Sequence, residues 1–258
     1  MKGLRGSIAL VTGATGLLGS AIAIRLATEG AIVAVASRDL LKAERWVEQN
    51  RPAHPGNYVP LRLDLSDPAS IRGVVDSLQD SVGLPTILIA NASLREGIGK
   101  PFDAVTQESF LRLFEVDIAG HLLLFRETMD RLGKGSASIV LLSSVYGVVG
   151  VDPKIYPPGM ASTPIQYAAV KGAALSMTRW LAAFWGARAA RVNAVVAGGI
   201  ASGERQSEEF VQAYSRKTML GRMASADEIA SAVVFLASQE ASYITGECLV
   251  VDGGFSAW

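Results

Sequence analysis

Tyr167-Ala168-Ala169-Val170-Lys171 sets a phenol and an ammonium four positions apart. On an α-helix that spacing puts both on one face, one turn apart. A phenol so placed suits proton transfer to or from a carbonyl or alcohol oxygen. A free tyrosine titrates near 10, about three units above neutrality, and three units correspond to about 4 kcal/mol. An ammonium ~4 Å away, at an effective dielectric near 20, contributes about that much. One lysine a turn away is therefore enough to tune one tyrosine for acid–base work. Ser143 and Ser144 precede the pair, and a serine hydroxyl there suits holding a substrate oxygen. Tyr-x-x-x-Lys also arises by chance on helix surfaces, so its place in the fold carries the weight.

A second group lies near the start. Thr12-Gly13-Ala14-Thr15-Gly16-Leu17-Leu18-Gly19 ends an apolar run and opens a helical pattern. That is the context of a dinucleotide-binding turn: Gly13 permits the tight turn, small residues let backbone approach a pyrophosphate, and the helix start offers unpaired N–H groups. The next apolar run ends at Ser37-Arg38. An acid at this point suits the ribose hydroxyl of NAD(H), and a base suits the 2′-phosphate of NADP(H). Arg38 favours NADP(H) and leaves NAD(H) possible, since a guanidinium forks onto phosphate. Asp39 pulls the other way, because it could bind Arg38 or repel a phosphate.

The elements that must position these groups read as alternating strands and helices. The pattern predicts strands at Ile8–Thr12, Ile32–Ala36, Val59–Leu63, Ile87–Ala90, Ser138–Leu142, Arg191–Val196 and Cys248–Val251. It predicts helices over Leu17–Glu29, Asp39–Asn50, Ser66–Gln79, Gln107–Leu132, Tyr167–Ala187 and Asp227–Leu236. Repeated βαβ units imply an α/β fold, a doubly wound parallel sheet of Rossmann type, as one domain over residues 1–258. Half the chain is hydrophobic (50%) and only 19% charged. That excess suits strands buried on both faces. Val148–Pro164 carries four prolines and reads as a semi-rigid loop.

Composition excludes several functions. Lys plus Arg and Asp plus Glu are 24 each, so no electrostatic footprint for nucleic acid or an anionic membrane is present. One cysteine, Cys248, excludes an internal disulfide and any cysteine-based metal cluster, and the expected setting is reducing and cytoplasmic. No metal is expected. Gly6–Ile24 lacks charge and follows Lys2 and Arg5, as a signal peptide or membrane helix would, but the spaced glycines fit a strand, turn and helix better. His121 reads as a packing residue, and Cys248 as a buried strand residue. Trp180, Phe184 and Trp185 read as core or subunit contact.

Taken together, these motifs resemble the short-chain dehydrogenase/reductases over essentially the whole chain. The resemblance rests on the glycine turn, Asp64-Leu65, Asn91-Ala92, Pro101-Phe102, Ser143-Ser144 and Tyr167-x-x-x-Lys171. It continues through Arg191-Val192-Asn193-Ala194, Gly198–Ser202, Leu220-Gly221-Arg222, Asp227-Glu228-Ile229-Ala230, Thr245-Gly246 and Val251-Asp252-Gly253-Gly254. It implies an oxidoreductase that interconverts a carbonyl and an alcohol on a small molecule, with Tyr167 as general acid/base. It implies that Lys171 eases that proton transfer and holds the nicotinamide ribose, and that Ser144 donates to the substrate oxygen. Gly13, Thr15, Gly16, Leu18, Gly19, Ser37, Arg38, Asp64, Leu65, Asn91, Ala92, Tyr167, Lys171, Gly198, Ile200 and Ser202 are the implied cofactor contacts. A homo-oligomer, dimer or tetramer, is implied as well.

Four departures stand out. Leu17 occupies the family's usual middle-glycine position, with Gly16 one place earlier. Ala197 replaces the usual proline before Gly198. Asp117 stands where the family usually has an asparagine that supports a water-linked proton path to the lysine. An ionised carboxylate accepts hydrogen bonds but donates none, and a buried one would be protonated or paired with Lys171. Lastly, 23 positions separate Ser144 from Tyr167, against roughly thirteen in the usual pattern, so about ten extra residues sit over the site. This loop is either a neutral insertion or a substrate-facing wall with Tyr156 and Met160 inside.

Ser144–Gly150, the long loop and Tyr167–Gly172 are also similar to members associated with flagellin modification and nonulosonic sugars. That similarity implies a sugar or sugar-phosphate substrate, with Arg95, Lys100 and Arg205 as candidate anion contacts. A 3-oxoacyl-thioester reductase is the second reading, and a non-catalytic cofactor-binding regulator the third.

Overall fold

A computed structural model describes every residue except 95, 96, 98, 204 and 205. Arg95 and Arg205 therefore lie outside the described residues. Seven strands form one parallel sheet: β1 (Ile8–Thr12), β2 (Ile32–Ser37), β3 (Asn57–Arg62), β4 (Ile87–Ala90), β5 (Ser138–Ser144), β6 (Arg191–Ala197) and β7 (Cys248–Val251). Their order is β3-β2-β1-β4-β5-β6-β7. The order reverses between β1 and β4, which opens a crevice at the carboxyl edge where doubly wound proteins bind ligands.

The helices are α1 (Leu17–Thr28), α2 (Leu40–Asn50), α3 (Pro68–Ser81), α4 (Gln107–Phe114), α5 (His121–Leu132), α6 (Ile165–Trp185), α7 (Glu208–Ser215) and α8 (Ala226–Ala237). Side chains alternate across each strand, and the core divides accordingly. Ala9, Val11, Val140 and Leu142 pack with α1 and α8 residues such as Ile22, Leu26 and Val233. Leu10, Ile139 and Leu141 pack on the opposite face with Val75, Phe125, Leu175 and Trp185 of α3, α5 and α6. Near-continuous apolar strands are what burial on both faces demands.

Local chemistry sets the helix starts. Asp39 caps α2 by accepting from the Lys42 N–H, and Asp67 caps α3, with Pro68 in its first turn. Ser225 and Glu228 form a reciprocal capping box on α8.

Two elements differ from expectation. The helix expected over 107–132 is interrupted by a π-helical turn at Glu115–Gly120, which separates α4 from α5. Helix α7 has no counterpart among the predicted helices, although Ser207 caps it and Glu208 and Glu209 sit in its first turn. The uncharged stretch from Gly6 to Ile24 is β1, the turn and most of α1. No described helix is long and apolar enough to cross a membrane.

Candidate active site

The glycine turn leaves β1 with Gly13 at φ +63°, a conformation that L side chains rarely adopt. A Cβ at Gly19 would collide with the Gly13 carbonyl, so turn and helix pack backbone to backbone. Gly16 is the N-cap of α1 and offers no side chain to the first-turn amides. A positive helix end with uncapped N–H groups fits a pyrophosphate. With Gly16 at the cap, Leu17 is the first helical residue and is partly exposed, so its departure from the usual pattern leaves the turn intact.

The turn is clamped from β4. Asn91 Nδ2 donates to the carbonyls of Thr12 (2.9 Å) and Gly13 (3.2 Å). The N–H groups of Asn91 and Ala92 both donate to Thr12 Oγ1, at 3.0 and 2.9 Å. Ser37 ends β2, and the exposed Arg38 follows it. The Ser37 hydroxyl accepts from the Asp39 N–H, and Asp39's carboxylate caps α2. Among the described residues no ion pair joins Asp39 to Arg38. Asp64 accepts from the Ser66 hydroxyl at 2.6 Å, and this bond, helped by Arg38 and Arg62, holds its carboxyl below the usual range. Arg38 and Asp64 thus face the same edge. Leu65 backs the π-turn, for a Cβ on Gly120 would strike its carbonyl. On the β6 side, Gly198 donates to Val251 O at 2.9 Å, and Gln206 bridges Ser202 N–H (3.0 Å) and Ile200 O (3.1 Å).

Tyr167 and Lys171 share one face of α6, with the Lys171 ammonium 5.4 Å from the Tyr167 ring centroid. Lys171 is buried and donates to Leu142 O at 3.2 Å. The two serines separate by role. Ser143 Oγ donates to Lys171 O at 2.8 Å and is committed to packing α6 on the sheet. Ser144 Oγ accepts from the Tyr146 N–H at 3.3 Å, which leaves its own hydrogen available to a ligand.

Asp117 lies in the π-turn, a distortion often found at functional sites. Its carboxylate stands 3.4 Å from Lys171 Nζ, with both side chains under a tenth exposed. It also accepts from the Ser93 hydroxyl at 2.5 Å and the Leu94 N–H at 3.0 Å. The carboxylate is thus paired with Lys171, one of the two outcomes its type allowed. Ser93 was missed in the sequence, where nothing ties it to a residue 24 positions on.

His121 was read as packing, and it is buried, but it is also a strut. Its Nδ1 donates to Asp117 O at 2.9 Å, which leaves Nε2 to accept from the Thr12 hydroxyl at 2.9 Å. Thr12 Oγ1 already accepts two N–H groups, so a protonated His121 has no place for a second donated bond. Burial pushes the His121 imidazole down from its ordinary value of 6.5. The unfolded chain therefore binds the proton more readily. Stability is full above about 6.5 and is lost as pH falls through the lowered folded value. Urea midpoints at pH 7.5, 6 and 5 should fall with acidity, and His121→Leu should flatten that slope while weakening the protein at pH 7.5. An unchanged slope would assign the acid sensitivity elsewhere.

The β5–α6 loop packs inward through Ile155 and Tyr156, whereas Met160 is 40% exposed and lies outside. Trp185 is core, while Trp180 and Phe184 are exposed and stacked at 5.0 Å. Cys248 is half-buried.

Residues 13–256 match the family described as enoyl-(acyl carrier protein) reductase. The chain is 34% identical over 254 residues to tropinone reductase-like 3 of Erythroxylum coca, covering 96% of this chain and 93% of that one. It is 33% identical to glucose 1-dehydrogenase of Gluconobacter oxydans, covering 98% and 93%. Among solved structures, a short-chain type dehydrogenase/reductase from Mycobacterium marinum superposes with a TM-score of 0.86 at 26% identity, covering 99% and 97%.

Proposed function

Because the chain belongs to the short-chain dehydrogenase/reductase family of oxidoreductases, we propose that it interconverts a carbonyl and an alcohol on a small polar substrate, with NADP(H) preferred over NAD(H). The observation that carries this reading is the buried Lys171 beside the Tyr167 ring on α6, a helix packed on β5, the strand that ends at Ser144. When bound, the nicotinamide supplies or accepts the hydride. The rest is done by side chains. Ser144 holds the substrate oxygen through its free hydrogen. Tyr167 gives that oxygen a proton in reduction and takes it back in oxidation. Lys171 sets its ammonium against the Tyr167 ring and would hold the nicotinamide ribose. Gly13, Thr15, Gly16, Leu18 and Gly19 would hold the pyrophosphate, Asp64 and Leu65 the adenine end, and Asn91 and Ala92 the middle. Ile200 and Ser202, with Gly198 before them, would hold the carboxamide and pyrophosphate.

NADP(H) preference is supported by Arg38 at the exposed end of β2, with Asp39 engaged in a cap. Arg38→Ala should raise KM for NADPH about tenfold or more, the equivalent of one charge-assisted contact, and leave KM for NADH nearly unchanged. An unaltered preference would remove Arg38 from this role.

A sugar or related polyol is the substrate class favoured by the loop's sequence resemblance and by the glucose 1-dehydrogenase relative. The enoyl-(acyl carrier protein) reductase description is compatible with a second reading, a 3-oxoacyl-thioester reductase, in that both act on acyl thioesters. Ketoses and acetoacetyl thioesters assayed with NADPH and NADH, and polyols assayed with NADP⁺ and NAD⁺, separate the two. Turnover of the thioester alone would overturn the sugar reading, and tight cofactor binding without turnover would favour a regulator. The exposed Trp180–Phe184 pair, with Leu111 and Phe102 also exposed, supports a homo-oligomer. Light scattering at a single-chain mass of 27.2 kDa would refute that part.

A further inference from the structure

Five aromatic rings from four separate chain segments close into a circuit beside Ser144. Tyr146 follows β5, Tyr156 lies in the inserted loop, Phe210 and Tyr214 belong to α7, and Phe255 lies beyond β7. Tyr156 meets Phe210 at 5.5 Å between centroids, Phe210 meets Tyr214 at 6.0 Å, and Tyr214 stacks on Phe255 at 4.8 Å. Phe255 meets Tyr146 edge-on at 6.4 Å, and the Tyr146 and Tyr156 hydroxyls close the circuit at 3.1 Å. We propose that Tyr156 is a positioning residue, which acts through Tyr146 to hold the Ser144 hydroxyl in the orientation a substrate oxygen requires. The inference rests on the role proposed above for Ser144.

The path is short and continuous. The Tyr146 N–H donates to Ser144 Oγ and so occupies a lone pair on that oxygen. The hydroxyl hydrogen is then confined to the remaining directions. The amide belongs to the short helical turn Val145–Gly147, and a held Tyr146 ring restrains that turn from outside. At its far end the ring is held by Tyr156, whose hydroxyl also meets Thr163 Oγ1 at 2.7 Å, just before α6. Burial pushes the Tyr146 phenol upward, so it remains protonated and able to hydrogen-bond at any working pH.

The insertion is anchored as a neutral surface loop would not be. Ile155 is 2% exposed within the same cluster. Asp152 pairs with Lys217, beyond α7, at 2.7 Å. The loop's Tyr156 and Thr163 hydroxyls bond to each other, and Tyr156 also bonds to the Tyr146 hydroxyl. Aromatic contacts of this kind have preferred geometries, so the circuit resists sliding. Loops that merely tolerate insertion make few such commitments.

Tyr156→Phe keeps the ring on Phe210 and removes only the hydroxyl. With the best substrate of the panel above, kcat should fall about threefold to tenfold, the rate equivalent of one neutral hydrogen bond. KM for the cofactor should not move. In a Ser144→Ala background the same substitution should have no further effect, because its route is gone. Tyr146→Phe should reproduce the loss, and the double variant should lose no more than either. Assays run well below each variant's unfolding midpoint separate this from loss of fold. Equal losses in both backgrounds, or no loss at all, overturn the inference. A crippled Ser144→Ala beside an unimpaired Tyr156→Phe sinks the inference alone. Full activity in Ser144→Ala sinks the reading of Ser144 and the inference with it.

Discussion

Replacing Tyr167 by phenylalanine is expected to lower kcat by about 10²- to 10⁴-fold, the range for loss of a positioned general acid/base. Phenylalanine keeps the ring and its contact with the Lys171 ammonium, 5.4 Å from the centroid. The thermal midpoint should therefore stay near wild type, since cation–π contact and packing persist. Cofactor affinity, read by fluorescence titration, should change little, because the hydroxyl acts on the substrate oxygen. The combination separates chemistry from folding. A variant within tenfold of wild type would remove Tyr167 from proton transfer and leave the family's fold without the proposed reaction.

The second large effect concerns Asp117. Asp117→Ala should destabilise the protein by about 3–5 kcal/mol, the cost of removing one partner of a buried ion pair. It leaves Lys171 with Leu142 O alone and deprives the Ser93 hydroxyl and Leu94 N–H of their acceptor. That is a large share of the roughly 5–15 kcal/mol that holds a typical domain together. Asp117→Asn keeps one acceptor oxygen for Leu94 but turns a donor toward Ser93 and Lys171. It should fold with less than half the loss, read from urea midpoints. Turnover should fall in both variants, because Lys171 loses the anion that fixes its ammonium. Equal or faster turnover in Asp117→Asn would mean that the site tolerates the carboxylate rather than uses it.

Strands β1 and β4 carry the predicted ends because strands buried on both faces read as continuous apolar runs with abrupt polar borders, and the edge strand β7 carries them because its apolar run lies between Glu247 and Asp252. The expectation failed where no local signal existed. Helical periodicity runs straight through Glu115–Gly120, and nothing in those residues marks a π-turn. That turn is a tertiary compromise, in which Asp117 faces Lys171 while Gly120 lies against Leu65. Helix α7 did have a signal, Ser207 followed by two acids, but eight residues are too few for periodicity to assert itself.

By itself the sequence determined the seven strands and the helices other than α7 and the α4–α5 break, the turn at Gly13 and the shared helix face of Tyr167 and Lys171. These are short-range matters of spacing, backbone freedom and helical repeat. Only the tertiary structure decided which serine is spent on packing, that Asp117 pairs with Lys171 across 54 positions, and that the inserted loop reaches Ser144 through two tyrosines. Each depends on hydrogen bonds that fail within an ångström. Periodicity says which face a residue occupies, but not what stands opposite it.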